Sequence, residues 1–275
     1  MSERLIEWLK LLFLSLIQGF TEILPISSSG HILVFENLMG LNTSLTLSVF
    51  LHLGSLIAVF IFFRNEIKNL FFSFFSYIFK RNREEQTKKN FHYVILLIIA
   101  TLPAGIIGVL FNDIINTIFY RPLFVIIGFY ITALLLFLLR YTKVKRAIEQ
   151  MTWKDALFVG FAQAIGIIPG ISRSGITISA LKSRNFDDDS AAHFSFFMLM
   201  PVTLGSFIVE MIKVLKVPLE NIKTSIIPTS VCVIVSLLAT YVSLHLFLKL
   251  IKKGKLWYFS LYLIALATLL IFLLK

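Results

Sequence analysis

Residues 17–34 read IQGFTEILPISSSGHILV, and residues 163–180 read QAIGIIPGISRSGITISA. Set 145 positions apart, QGFTEILPISSSG (18–30) and QAIGIIPGISRSG (163–175) share six identities in thirteen positions. Gln18 meets Gln163, and Ser27, Ser29 and Gly30 meet Ser172, Ser174 and Gly175. Both stretches are apolar but carry a polar break, Pro25 with Ser27, Ser28, Ser29 and Gly30 in one, Pro169 and Gly170 with Ser172, Arg173, Ser174 and Gly175 in the other. Proline and glycine interrupt a helix, so each stretch reads as two short helices meeting at the break. In lipid the freed backbone groups need protein or water around them. That requirement makes both stretches, about 5–40 and 153–185, candidate re-entrant hairpins; a helix followed by an interfacial loop is the alternative.

The remainder of the chain identifies lipid as the solvent. Of 275 residues, 57% are hydrophobic, 15% are charged and 28 are Phe, a balance no water-soluble core requires. Six apolar segments, at about 44–63, 92–111, 122–140, 190–212, 226–248 and 257–274, approach the roughly 20 residues that cross a hydrocarbon layer. The expected fold class is an all-α integral membrane protein, with about six spanning helices and two re-entrant hairpins. A net charge of +11 raises the question of nucleic acid, but the Lys and Arg fall in short runs between apolar segments and not along one face. Such runs follow the positive-inside rule and contact membrane lipids; no nucleic-acid partner is expected. The N-terminal apolar run Leu11–Ile17 follows Arg4 and Lys10 as in a signal peptide. No small-residue cleavage site follows it, so the segment is expected to remain. A single cysteine, Cys232, cannot form an intramolecular disulfide and reads as a packing or lipid-facing residue.

Charge also sets the orientation. Arg64, Lys68, Lys80, Arg81, Arg83, Lys88 and Lys89 occupy one loop, and Arg140, Lys143, Lys145, Arg146 and Lys154 another. Both are expected to be cytoplasmic, with two spans between them and only Arg121 in the opposite turn. The first hairpin then enters from outside and the second from the cytoplasm. Lys213, Lys216 and Lys223 fit less well, since they fall outside. Each half carries one hairpin and three spans, and an odd number of crossings turns the second copy upside down. LHLGSLIAV (51–59) also resembles VTLGSFIVE (202–210). The chain therefore reads as one membrane domain, 1–275, built as an inverted-topology repeat of about 1–145 and 150–275, with its site where the broken helices meet.

Two intramembrane charges stand out. Glu22 follows Gln18 by four residues, so both share one helix face. A carboxyl in that setting costs several kcal/mol without a partner and marks function by default, unless it is protonated and used for packing. Arg173 offers a planar fork of donors suited to phosphate or carboxylate oxygens, beside a helix start that itself favours anions; a structural ion pair with Glu22 is the other reading. Ser27, Ser28, Ser29 and His31 place hydroxyls and an imidazole in one turn, either as nucleophile and base or as helix caps. Asp187, Asp188 and Asp189 suit the positive end of a helix dipole. His52, His92, His193 and His245 are scattered and suggest no ligand set, and Phe71, Phe72, Phe74, Phe75 and Tyr77 suit the membrane interface.

With these residues in view, the chain resembles the undecaprenyl-diphosphate phosphatase family, also called the BacA or bacitracin-resistance family. The likeness rests on IQGFTEILPISSSGHILV (17–34), IIPGISRSGITISA (167–180) and AAHFSFFMLMPVTLGS (191–206). It implies hydrolysis of undecaprenyl diphosphate to undecaprenyl phosphate and inorganic phosphate. That reaction recycles the carrier lipid of the bacterial cell wall at a site opening to the outer face of the cytoplasmic membrane. The resemblance also implies a divalent cation, Mg2+ or Ca2+. Carried over, it makes Ser28, His31 and Glu22 catalytic, assigns Arg173, Ser172, Ser174, Ser27 and Thr177 to the diphosphate, and gives the metal to Glu22 with Gln18 assisting. The family often has Glu where this chain has Gln18, which removes one carboxylate from that metal site. A lipid-phosphate transporter of the same architecture is the alternative function.

Overall fold

The computed structural model describes residues 3–41, 45–119, 121–142, 146–215 and 226–273. Its first break falls where Pro25 predicts it: α1 (Glu3–Ile23) ends there and α2 (Ser28–Met39) restarts with Ser27 as its cap. The second lies between α7 (Trp153–Ile165) and α8 (Arg173–Ser183), capped by Ser172. Three of these four helices are short; α1 is not, since its 21 residues extend about 30 Å at a rise of roughly 1.5 Å per residue.

Between and beyond the hairpins run α3 (Leu45–Phe62), α4 (Arg64–Phe79), α5 (Glu85–Ile114), α6 (Pro122–Leu138), α9 (Asp188–Leu215), α10 (Ile226–Ile251) and α11 (Tyr258–Leu273). Among the described residues, four helices are long and apolar enough to cross a membrane, over Glu85–Phe111, Pro122–Tyr141, Asp188–Val209 and Thr229–Ile251. With α3 and the shorter α11 they account for all six expected segments, and the chain is an all-α multi-pass membrane protein. Large apolar side chains such as Val109, Leu110, Leu123, Leu134 and Phe272 stand exposed on its outside, a surface that lipid, and not water, satisfies.

One expectation needs revision. The stretch after Phe63 reads as a basic loop, yet residues 64–79 form α4, bent 77° from α3. None of its residues is buried, and Phe71, Phe72, Phe75 and Phe79 are exposed. It packs on α5, where Asn90 donates to Ser73 and Phe91 stacks on Phe74 and Tyr77, and its mix of basic and exposed aromatic residues suits the membrane interface, where the aromatics of this segment were expected. Lys143, Lys145, Lys216 and Lys223, which enter the orientation argument, lie outside the described residues.

Helix pairing is two-fold in pattern: α1 packs on α10 and α7 on α5, while α3 meets α9 and α6 meets α11. Lipid gives little hydrophobic drive to such contacts, so close approach through small residues and hydroxyls takes its place. A Cβ on Gly160 would lie 2.6 Å from the Ala100 carbonyl of α5, and one on Gly54 of α3 2.6 Å from the Val233 carbonyl of α10. Cys232 is buried beside Leu47 and Leu51, so it packs and does not face lipid.

The N-terminus of α7 is clamped in place. Asp155, 1% exposed, takes Arg146 at 2.9 Å and Arg184 at 2.8 Å, and closes a capping box with Thr152. Burial alone would raise this carboxyl; the two guanidinium groups and Thr152 outweigh it and hold it below the usual carboxylate range. Asp187 caps α9 by accepting from Ser190 N at 2.7 Å and Ser190 Oγ at 2.6 Å.

Candidate active site

Glu22, one residue before the end of α1, is 6% exposed. Its Oε1 accepts from Arg173 Nη2 at 2.8 Å, and its Oε2 accepts from Ser28 Oγ at 2.6 Å and from Gln18 Nε2 at 3.3 Å. His52 Nε2 stands 3.6 Å from the same Oε2. Ser28 and Arg173 are the first residues of α2 and α8, so two helix starts converge on one carboxylate. The leading N–H groups of a helix have no partner within it, and the dipole makes that end positive. The site therefore offers an anion two helix starts and a guanidinium together.

The breaks are built alike. Ser27 Oγ accepts from Gly30 N at 3.3 Å and lies 3.4 Å from Ser29 Oγ; Ser172 Oγ accepts from Gly175 N at 3.1 Å and lies 3.3 Å from Ser174 Oγ. Each S-x-S-G sequence thus caps its helix in the same way. They differ in where the backbone turns left-handed: at Ser27 itself (φ 68°) in the first, at Gly170 (φ 90°) in the second. A side chain in that region is held against its preference, and here Ser27 is held by its own cap. At Gly170 a Cβ would also strike Val125 of α6, and Thr132 of α6 takes Ser172 N at 3.0 Å and reaches Gly170 O at 3.3 Å. Ser174 Oγ donates to Leu24 O at 3.2 Å and joins the two breaks.

Hydroxyls from other helices fasten α1. Ser236 Oγ donates to Gln18 Oε1 at 2.6 Å, Thr240 to Gly19 O at 2.9 Å and Ser243 to Phe20 O at 2.7 Å, all from α10; Ser55 of α3 bonds Thr240 at 2.8 Å. A carboxylate only accepts, so the amide that faces Glu22 is the NH2 end of Gln18, and its oxygen is turned away toward Ser236.

That orientation decides how the site suits a resident cation. Among the described residues Glu22 is its one carboxylate, each of whose oxygens accepts a hydrogen bond, from Arg173 and from Ser28, and Gln18 presents no oxygen to it. Among the described residues no group of three His, Cys, Asp or Glu could hold an ion. Hard divalent cations require several oxygen ligands, so these residues do not make a protein-held metal centre.

The sequence-derived candidates divide. Glu22, Ser28 and Arg173 meet directly. Ser27, Ser172 and Ser174 surround them, with hydroxyls committed to caps and to Leu24 O. Thr177 lies one turn along α8, bonded to Arg173 O at 2.9 Å and Ser195 Oγ at 2.6 Å. His31 is buried with both nitrogens engaged, Nδ1 on Ser27 O at 2.8 Å and Nε2 on Tyr262 OH at 2.8 Å, stacked on that tyrosine. A carbonyl only accepts, so Nδ1 carries the proton and Tyr262 donates to Nε2. Sequence reading passed over Tyr262, His52 and Thr203, which takes Arg173 Nη1 at 3.1 Å. One signal pointed to two of them: aligning LHLGS (51–55) with VTLGS (202–206) sets His52 against Thr203, and these two brace Glu22 and Arg173 respectively. A cavity of about 1020 Å³ among Glu66, Ser73, Lys88, Glu149 and His193 lies elsewhere, between α4, α5 and α9.

Residues 11–269 match the model of the bacitracin resistance protein BacA family. Undecaprenyl-diphosphatase 3 of Bacillus anthracis is 41% identical over 255 residues, which cover 92% of this chain and 93% of that protein. Undecaprenyl-diphosphatase of Oceanobacillus iheyensis is 38% identical over 252 residues, 90% of each chain. The undecaprenyl-diphosphatase of Halothermothrix orenii is 39% identical over 259 residues, 93% of this chain and 94% of that one. With its broken-helix site and this full-length likeness, the chain belongs to the bacitracin resistance protein BacA family.

Proposed function

We propose that the protein hydrolyses undecaprenyl diphosphate to undecaprenyl phosphate and inorganic phosphate, as its relatives' names describe, in the bacterial cytoplasmic membrane with its site open to the outer face. We further propose that its two halves form an inverted-topology repeat, on the support of the matched caps and exchanged helix partners. The observation that carries the reading is the meeting of Ser28, Glu22 and Arg173 at two helix starts. Arg173 has five N–H donors, of which Glu22 and Thr203 engage two, so it can hold Glu22 and phosphate oxygens together. Phosphoryl transfer asks for neutralised oxygens and a nucleophile held in line. The helix starts and Arg173 serve the first need, and Glu22 serves the second by fixing the Ser28 hydroxyl. A Mg2+ or Ca2+ ion, in this reading, arrives on the diphosphate as its counter-ion. The lipid tail lies along the exposed apolar helices.

The test is release of inorganic phosphate from undecaprenyl diphosphate by purified protein, measured beside movement of the lipid across vesicle bilayers. Phosphate release supports the hydrolase; movement without release would establish the transporter instead.

A further inference from the structure

A serine nucleophile needs a proton acceptor, and His31 is badly placed for it. Its Nδ1 is bound to the Ser27 carbonyl, its Nε2 already accepts the Tyr262 hydroxyl, and the residue is 2% exposed. Ser28 bonds Glu22 instead.

His52 presents the opposite picture. Its Nδ1 lies 2.8 Å from the Ser48 carbonyl oxygen one turn earlier in α3. That contact requires the proton on Nδ1, which in the neutral ring puts the lone pair on Nε2. Nε2 faces Glu22 Oε2 at 3.6 Å, and Oε2 is the atom that holds the Ser28 hydroxyl at 2.6 Å. Neither a carboxylate oxygen nor a bare Nε2 can donate, and 3.6 Å is too long for a hydrogen bond. With His52 neutral the pair can take up one proton, and Ser28 holds a proton next to it. The His52 side chain is 31% exposed against 2% for Glu22, so it is the more accessible of the two.

On the phosphatase reading above, we infer that His52 is the catalytic base. As Ser28 Oγ bonds to the terminal phosphorus, its proton passes by way of Glu22 Oε2 to His52 Nε2. The bond from that phosphorus to the bridging oxygen breaks, and its electron pair leaves on the lipid monophosphate. Water then attacks the phosphoserine, the bond from phosphorus to Oγ breaks, and His52 returns its proton to Oγ. The protons of the water leave with inorganic phosphate or pass to solvent.

The experiment compares His52→Ala and His52→Gln with the unmodified protein, measuring kcat and KM for phosphate release with and without added imidazole. General bases typically contribute about 100- to 10,000-fold. His52→Ala is expected to lose kcat on that scale with KM little changed, and to regain a measurable part of it with imidazole. His52→Gln keeps a hydrogen-bonding group but accepts no proton, so it should stay as slow; it also carries the test if the alanine variant fails to fold. A folded His52→Ala protein within fivefold of normal kcat, or a fully active His52→Gln, would overturn the assignment and leave His52 a brace for Glu22. Absence of phosphate release by the unmodified protein would instead overturn the phosphatase reading, and this role with it.

Discussion

Arg173→Lys keeps the positive charge beside Glu22 and removes the fork. In the structure one terminal nitrogen of Arg173 reaches Glu22 at 2.8 Å and the other reaches Thr203 at 3.1 Å. A single ammonium group on a shorter, differently shaped side chain cannot reproduce both directions while also meeting a phosphate. Losing one hydrogen bond to a charged partner costs about 1.5–3 kcal/mol. At roughly 1.36 kcal/mol per factor of ten, kcat/KM for phosphate release should fall roughly 10- to 150-fold. Arg173→Ala is the poorer experiment, because it strands a carboxylate whose side chain is 2% exposed, at a cost of about 3–5 kcal/mol in folding. The lysine variant avoids that loss and should elute as the unmodified protein does in detergent. Turnover within threefold of normal would refute the reasoning and reduce Arg173 to a generic positive charge.

Three further outcomes are expected. Ser28→Ala should lower kcat by orders of magnitude with KM largely kept, because the hydroxyl acts in the transition state, whereas Ser29→Ala should do far less; an active Ser28→Ala enzyme would exclude covalent catalysis there. Asp155→Asn should lower the denaturation temperature at pH 7, since the folded-state carboxyl is held below its ordinary value. That contribution is present above the unfolded value of about 3.9 and is lost only as pH falls through the lower folded value, so the two proteins should converge only in strong acid. Single cysteines at positions 85 and 147 should label from the cytoplasm and one at 118 from outside; labelling of 85 and 147 from opposite faces would sink the inverted repeat.

The parts of this molecule that a sequence can display are those in which one residue type has few uses. Pro25, Pro169 and the two S-x-S-G runs mark both breaks, because a helix in lipid must account for every backbone group it frees. Glu22 and Arg173 stand out for a related reason, since ionisable groups are expensive there. His52 and Tyr262 did not, because a histidine or tyrosine on an apolar helix has many ordinary uses and its neighbours come from other helices. α4 was missed because basic and aromatic residues in one stretch suit a loop and an interfacial helix equally; the 77° bend at Phe63 is a tertiary fact. Gln18 shows the subtler limit. Its place beside Glu22 was legible from the four-residue spacing, but the direction of its amide depends on Ser236, 218 residues away.

On the proposed repeat, the site is a duplicated scaffold with divided chemistry. Position 28 in the first half corresponds to 173 in the second; one is a hydroxyl and the other a guanidinium, and both bind Glu22. His52 and Thr203 correspond in the same way, one on the carboxylate and one on the guanidinium. A symmetric site would set two carboxylates or two guanidiniums against each other, at a cost that like charges in a buried space make large. Divergence removes that conflict: in the proposed mechanism the half with Glu22 supplies the nucleophile and its proton path, and the half with Arg173 supplies the anion grip. Gln163 records the asymmetry. It matches Gln18 in sequence, yet the position that corresponds to Glu22 is Ile167, and both polar atoms of the buried Gln163 side chain are without a partner in the structure. The second half has kept the amide without the carboxylate that the amide serves in the first.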